Sequence, residues 1–437
     1  MRRSKLPYFF LGIAAILAAS AVVLLIRGKN ANSPTPPASQ PSNTTSAIPT
    51  RIDSLRERPA PEDPDKVLAD LGIGVATADP TVLINQIAQA LEAGDLAKVG
   101  RLIGKDALDP ETLARLKAFS AAPLKIRQPD GIREVGEIEL NSRSRWALHL
   151  DGQPAGRDRI FLDLRRINGK WMVEKLTLPP ALDQAIPKTA LPDALGAADA
   201  FLQAVLKQDF EIARTFVDPA TVSDTKIAGL CILFEEGGYR IRKSKPLRSL
   251  FQRQDTAGFL ANLEAVEASQ TAQFALNLKL PSGSANWIVA EINLDQLLAD
   301  YARRVAGGDI YYSPLVKNPS GGDTLALYFE FDHDEMNPRT RRQLEIVTKI
   351  LKSDPGKKIT LSGHTDALGT KDYNNSLSSR RADVVRDFLI EAGVAISQIV
   401  TVAKGDSQPR RPNLTETGTD NPEGRRANRR TEIYLDF

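Results

Sequence analysis

The chain is poor in the residues that support covalent or metal-centred chemistry. Its one cysteine, Cys231, excludes an intramolecular disulfide, and the apolar neighbours Leu230, Ile232 and Leu233 mark it as a small buried side chain. The three histidines, His149, His333 and His364, are scattered, and neither an HExxH run nor a paired-cysteine spacing occurs. A zinc site is therefore not expected, and nothing in the sequence implies a cofactor. Excess charge is also lacking: 57 Lys and Arg against 54 Asp and Glu leave a net charge of +3. That gives no electrostatic reason to expect nucleic acid as a partner. What remains is ordinary globular composition, 42% hydrophobic and 25% charged, over 437 residues, enough for about three domains.

Charge is missing altogether from Pro7 to Ile26, a run of 20 residues. As a helix this run spans roughly 30 Å, the thickness of a bilayer core. Arg2, Arg3 and Lys5 precede it. Ala18, Ala19, Ser20 and Ala21 could form a signal-peptide cleavage site, but Val22 to Ile26 continue the apolar run beyond it. The expectation is an uncleaved anchor over residues 1–27, with no following cysteine to carry a lipid. The basic start favours a cytoplasmic tip, although Arg27 and Lys29 weaken the asymmetry. A single-pass inner-membrane protein with its bulk in the periplasm is the resulting expectation. Residues 28–64, rich in Pro, Ser and Thr without an apolar period, read as a disordered linker. Such a linker could reach on the order of 100 Å.

The middle of the chain contains a repeat. Ile87–Ile103 aligns without gaps to Phe201–Val217 at an offset of 114, with Gln89/Gln203, Ala90/Ala204 and Asp95/Asp209 identical. Trp171 follows Asp95 by 76 residues, and Trp287 follows Asp209 by 78. Each unit, 65–185 and 190–306, opens with helical patterns. Ile84, Ile87, Ala88 and Leu91 form one stripe, Gly94-Asp95 a turn, and Asp109-Pro110-Glu111 a further helix start. Strand alternation follows at Trp146, Leu148 and Leu150, at Ile160, Leu162 and Leu164, and at Phe274, Leu276, Leu278 and Leu280. Helices followed by an antiparallel sheet define an α+β class. This order resembles the nuclear transport factor 2-like (SnoaL-like) cone, a fold of both enzymes and binding modules. His149 is read as solvent-facing on its strand, Trp171 and Trp287 as packing residues, and no catalytic residue is assigned. The repeats are expected to serve a protein-interaction or spacing role, an envelope protein being the candidate partner. A wall-targeted enzyme or scaffold with its site in the repeats is the alternative.

From Leu325 the pattern becomes β-α-β-α-β-β over residues 323–437. Leu325, Leu327 and Phe329 open a strand, and Asn337-Pro338 starts a helix with Leu344, Val347 and Leu351 inward. Lys358 to Ser362 reads as a strand, Leu377 to Glu391 as a helix closed by Gly393, and 399–403 and 431–435 as strands. Gly363-His364-Thr365-Asp366, Gly369, Tyr373-Asn374, Leu377-Ser378 and Arg381-Ala382 follow the signature GHTDxxGxxxYNxxLSxxRA, and Gly424 to Ile433 follow GRxxNRRxEI. This quarter of the chain resembles the OmpA-like peptidoglycan-binding domain.

The resemblance implies recognition of diaminopimelate, whose free end pairs an ammonium with a carboxylate. Asp366 would accept the ammonium and Arg381 would present its planar fork to the carboxylate. Thr365, Gly369 and Asn374 would shape the loop, Asp332 would stand on the opposite rim, and Arg430 would be the closing arginine nearest the ligand. His364 reads as a packing residue. Asp420-Asn421-Pro422 and Arg410-Arg411 depart from the family pattern. Proton-driven stators join such a domain to a membrane helix bearing a carboxylate. The uncharged run 7–26 argues for a tether instead.

Overall fold

The structure is a computed structural model. It describes residues 72–121, 123–181, 184–186, 191–265, 268–304, 314–317, 323–330, 336 and 338–435. The expected anchor, the linker and Asp332 lie outside the described residues. Among those described, no helix is long and apolar enough to cross a membrane.

The first repeat begins with three helices, α1 (Pro80–Glu92), α2 (Leu96–Ile103) and α3 (Pro110–Phe119). Each starts on an aspartate, because a carboxylate there satisfies an orphan N–H of the first turn: Asp79 accepts from Thr81, Asp95 from Lys98 and Asp109 from Thr112. Strands β1 (Ile132–Glu139), β2 (Arg143–His149), β3 (Arg159–Ile167) and β4 (Lys170–Thr177) follow as an antiparallel meander. The second repeat opens in the same way with α4 (Ala194–Leu206), α5 (Phe210–Arg214) and α6 (Asp224–Glu236). Its turn matches the first closely. Asp95 N–H donates to the Ala90 carbonyl and Asp209 N–H to that of Ala204, while Gly94 and Gln208 both take positive φ, 68° and 55°. The second sheet runs β5 (Tyr239–Ile241), β7 (Thr256–Ala265), β8 (Ala268–Lys279), β9 (Ile288–Asn293), with β6 (Leu247–Gln252) also paired to β7. Helix α7 (Asp295–Arg304) follows.

The two faces of the first sheet belong to different cores. Trp146, Leu148, Ile160 and Leu162 pack with α1 and α2. Val135, Ala147 and Phe161, on the other face, join a core that includes α4, α6 and the C-terminal domain. β2 is therefore buried from Ser144 to Leu148, a continuous run where alternation predicts one wet face. Charged side chains bridge the same contact. Arg145 Nε lies 2.6 Å from Asp163 and its Nη2 2.8 Å from Asp193 before α4, and Arg133 Nη2 lies 2.8 Å from Asp199 on α4. His149 is not solvent-facing as the alternation suggests. Its side chain is 17% exposed beside Asp158, and burial, with the charges of Arg133 and Arg159, lowers its pKa to about 4.

The C-terminal sheet has the order β10-β11-β14-β12-β13, from β10 (Leu315–Lys317), β11 (Asp323–Glu330), β12 (Ile359–His364), β13 (Ile399–Gly405) and β14 (Arg430–Leu435). The expected β-α-β-α-β-β order is present except that a short helix, Pro422–Asn428, stands between the last two strands, and β10 adds an edge strand paired to β11. Helix α8 (Pro338–Ser353) buries Leu344, Val347 and Leu351. Helix α9 (Lys371–Glu391) starts six residues before Leu377, because Thr370 caps it by accepting from the Tyr373 N–H. α6 also contacts β10, β11 and α8. There Arg342 Nε donates to Glu235 at 2.7 Å and Gln343 to Glu236 at 2.9 Å.

Candidate functional site

The loop between β12 and α9 is the centre of the signature. Gly363 lets α9 come close: a Cβ there would overlap the Ser378 carbonyl oxygen. Ser378 in turn receives the Gly405 N–H at 3.1 Å, and the Gly405 carbonyl receives the Thr365 N–H at 2.9 Å. The end of β12, the start of α9 and the end of β13 are thus tied at one point. Gly369 sits at φ 107°, a conformation that favours glycine, and turns the chain into Thr370.

Within this frame Asp366 is 7% exposed. Its Oδ1 accepts the Leu368 N–H at 3.1 Å. Its Oδ2 accepts from Arg429 Nη1 at 3.0 Å, with Arg425 Nη1 at 3.7 Å. Arg381, also buried, donates from Nη1 to the His364 carbonyl at 3.0 Å, two residues before Asp366. Asn374 Nδ2 donates to the Asp366 carbonyl at 3.3 Å. Asn374 Oδ1 and Thr365 Oγ1 are buried and find no hydrogen-bond partner among the described residues. Asp366, Arg381, Asn374, Thr365 and Gly369 therefore gather at one loop.

Arg430 is elsewhere. It opens β14, and its guanidinium lies 2.6 Å from Glu432, which also stands 3.4 Å from His364 Nε2 and accepts from Tyr434. Burial works against ionising Glu432, yet His364 and Arg430 hold its carboxyl down at about 2. Arg430 was expected to be the closing arginine nearest the ligand; its guanidinium lies on Glu432, and Arg429 is the one beside Asp366.

The sequence reading missed Arg425, Arg429 and the short helix α10 (Pro422–Asn428) that carries the first of them. The signal was present in Asp420-Asn421-Pro422. Asn421 caps the helix by accepting the Gly424 N–H at 3.0 Å, Pro422 fills its first turn, and Asp420 pairs with Arg425 at 2.7 Å. Asn428, fully buried, accepts the N–H groups of Arg410 and Arg411 at 2.6 and 2.9 Å and donates to the Arg411 carbonyl and to Asn413.

Residues 328–423 match the OmpA family. The C-terminal part of the chain is an OmpA family domain. A peptidoglycan-associated lipoprotein of Pseudomonas aeruginosa is 39% identical over 83 residues, 19% of this chain and 49% of that protein. The peptidoglycan-binding protein ArfA of Mycobacterium bovis is 37% identical over 109 residues, 25% of this chain and 32% of its own. The crystal structure of the peptidoglycan-associated lipoprotein from Burkholderia pseudomallei is 30% identical, covering 25% of this chain and 89% of that one, with a TM-score of 0.22. The chain spans about half the length or less of both of these sequence relatives.

Proposed function

We propose that the protein binds peptidoglycan noncovalently through its C-terminal domain and tethers the inner membrane, or an envelope complex attached to it, to the cell wall. The N-terminal apolar run would be the anchor and the repeats would lie in the periplasm. The observation that carries the reading is that Arg381 is held on the carbonyl two residues before Asp366, so an anion and a cation 15 residues apart in sequence meet at one loop. Diaminopimelate offers the complementary pair. Asp366 accepts its ammonium and the Arg381 fork takes its carboxylate, oriented by the bond to His364. A carboxylate has about four lone-pair sites, so Asp366 can keep Arg429 while accepting an ammonium. Thr365 and Asn374 supply further polar atoms beside it. The names of the relatives, one peptidoglycan-associated and one peptidoglycan-binding, support peptidoglycan as the ligand.

Sedimentation with insoluble cell wall tests the reading. Asp366→Ala and Arg381→Ala should each lower retention about tenfold or more, near 1.4 kcal/mol. Retention undiminished in both variants sinks the proposed site. Wall carrying lysine in place of diaminopimelate lacks the second carboxylate and should bind more weakly. Equal binding to both walls would remove diaminopimelate recognition while leaving wall binding in place.

A further inference from the structure

The first repeat carries a polar site of its own. An open cleft of about 680 Å³ lies between its sheet and the connection from β5 to β6 in the second repeat. That volume is within the usual range of small-molecule sites.

The floor of the cleft depends on an irregularity in β1. Glu134 and Glu137 are three residues apart, so in a regular strand they would point to opposite faces. The register between β1 and β2 slips between Glu134 and Gly136, so that Glu134 stands opposite Trp146 and Glu137 opposite Ser144. The bulge brings both carboxylates to the face of an indole and a hydroxyl, the kind of re-aiming for which bulges are used near sites. Lys245 closes one side. Its backbone N–H donates to Glu134 at 2.9 Å, and its Nζ lies 3.5 Å from Glu137 and 3.2 Å from Asn141 Oδ1. Trp171 lines the cleft as well, with the Arg166 guanidinium 5.8 Å from its ring.

Two observations point to a ligand and to its class. Ser144 Oγ and Trp146 Nε1 are buried without a hydrogen-bond partner among the described residues, and their residues are 4% and 8% exposed. Unpaired buried polar atoms are costly, so a hydroxyl or carbonyl arriving here is favoured. The charges of the lining balance: Asp79, Glu134 and Glu137 against Arg166, Lys243 and Lys245, three of each sign. A ligand of either net charge would meet as much repulsion as attraction, while a neutral one rich in donors and acceptors would find both. Burial and the neighbouring Glu137 raise the Glu134 carboxyl above its ordinary value, against the pull of the Lys245 N–H.

We propose that this cleft binds a neutral saccharide, with sugar hydroxyls on Glu137, Ser144 and Trp146 Nε1 and the apolar face of a ring against Trp171. Indoles beside alternating donors and acceptors match a ring with one apolar face and a hydroxyl-bearing edge. The site is independent of the Asp366 loop.

Titration calorimetry on the full chain in detergent, with chitotriose and separately with maltotriose, tests the proposal. At least one trisaccharide should bind saturably. Trp171→Ala, at the rim, should weaken that binding about tenfold, and Ser144→Val should weaken it also. Asp366→Ala should leave it unchanged, which keeps a failure here distinct from a failure of the wall-binding reading. Absence of saturable binding to both sugars overturns the proposal, as does affinity unaltered by Trp171→Ala in a protein with the parental circular dichroism.

Discussion

Asp366 and Arg429 form an ion pair at 3.0 Å in the signature loop, and the same carboxylate oxygen lies 3.7 Å from Arg425. The pair holds the candidate anion before any ligand arrives. Arg429 is a quarter exposed, so the pair is partly screened. Arg429→Ala should therefore cost about 1 kcal/mol of stability. It should also weaken wall binding severalfold, less than Asp366→Ala does, because the carboxylate remains but its position is no longer fixed. Urea midpoints and wall-sedimentation isotherms of the two variants check both statements. Weaker binding by Arg429→Ala than by Asp366→Ala would reverse the assigned roles.

Two groups should give the protein a stepped acid sensitivity. His149 is lowered to about 4 by burial and by nearby arginines, so the unfolded chain takes up a proton first as pH falls. Its contribution is complete above about pH 6.5 and is lost as pH drops toward about 4. Glu432 is held at about 2 in the folded state. Its contribution is complete above about pH 4.5 and is lost as pH falls through about 2. His149→Gln should flatten the upper step and Glu432→Gln the lower one in a series of urea midpoints against pH. An unchanged profile in either variant would contradict the corresponding assignment.

Much of this was legible in the sequence, and the failures share a cause. The strands, the helix start on Asp109, and the loop residues around Asp366 are local features, written in side-chain period and capping chemistry. Asp95 and Asp209 align in the sequence because each caps a helix after a residue of positive φ. What local pattern could not give was the second partner of an element. β2 looked half wet because its other neighbour, α4, begins some 45 residues later. His149 was misplaced for a related reason, since burial by long-range packing leaves no mark on its own strand. Arg429 and Arg430 could not be separated without the direction of the chain at the end of α10.

Arg145 measures how firmly the first repeat is joined to the second. Its side chain is 4% exposed and reaches Asp163 on β3 and Asp193 before α4. Arg145→Ala leaves Asp163 buried and uncompensated, and should cost about 3 kcal/mol or more. The double change Arg145→Met with Asp163→Leu removes both charges and should recover most of that loss. Chemical unfolding of the three proteins decides it. Equal stability of Arg145→Ala and the double variant would show that the buried charge is not what the single change exposes.

Asn428 tests how the signature arginines are held. It is fully buried, and its amide makes four bonds to Arg410, Arg411 and Asn413, fastening the loop before α10 to the end of that helix. The helix carries Arg425, and Arg429 follows it directly. Asn428→Ala removes one buried amide and leaves two backbone N–H groups without their acceptor, a loss of about 2–4 kcal/mol from unsatisfied groups. Asn428→Asp keeps the acceptor oxygen for both N–H groups but loses the two donated bonds, and should fall between wild type and alanine. Because the helix positions the cations around Asp366, wall binding should decline in the same order. Stability lost without any change in wall affinity would show that the arginines keep their places without this amide, and that the geometry of the loop rests on the Asp420–Arg425 pair and the Asn421 cap instead.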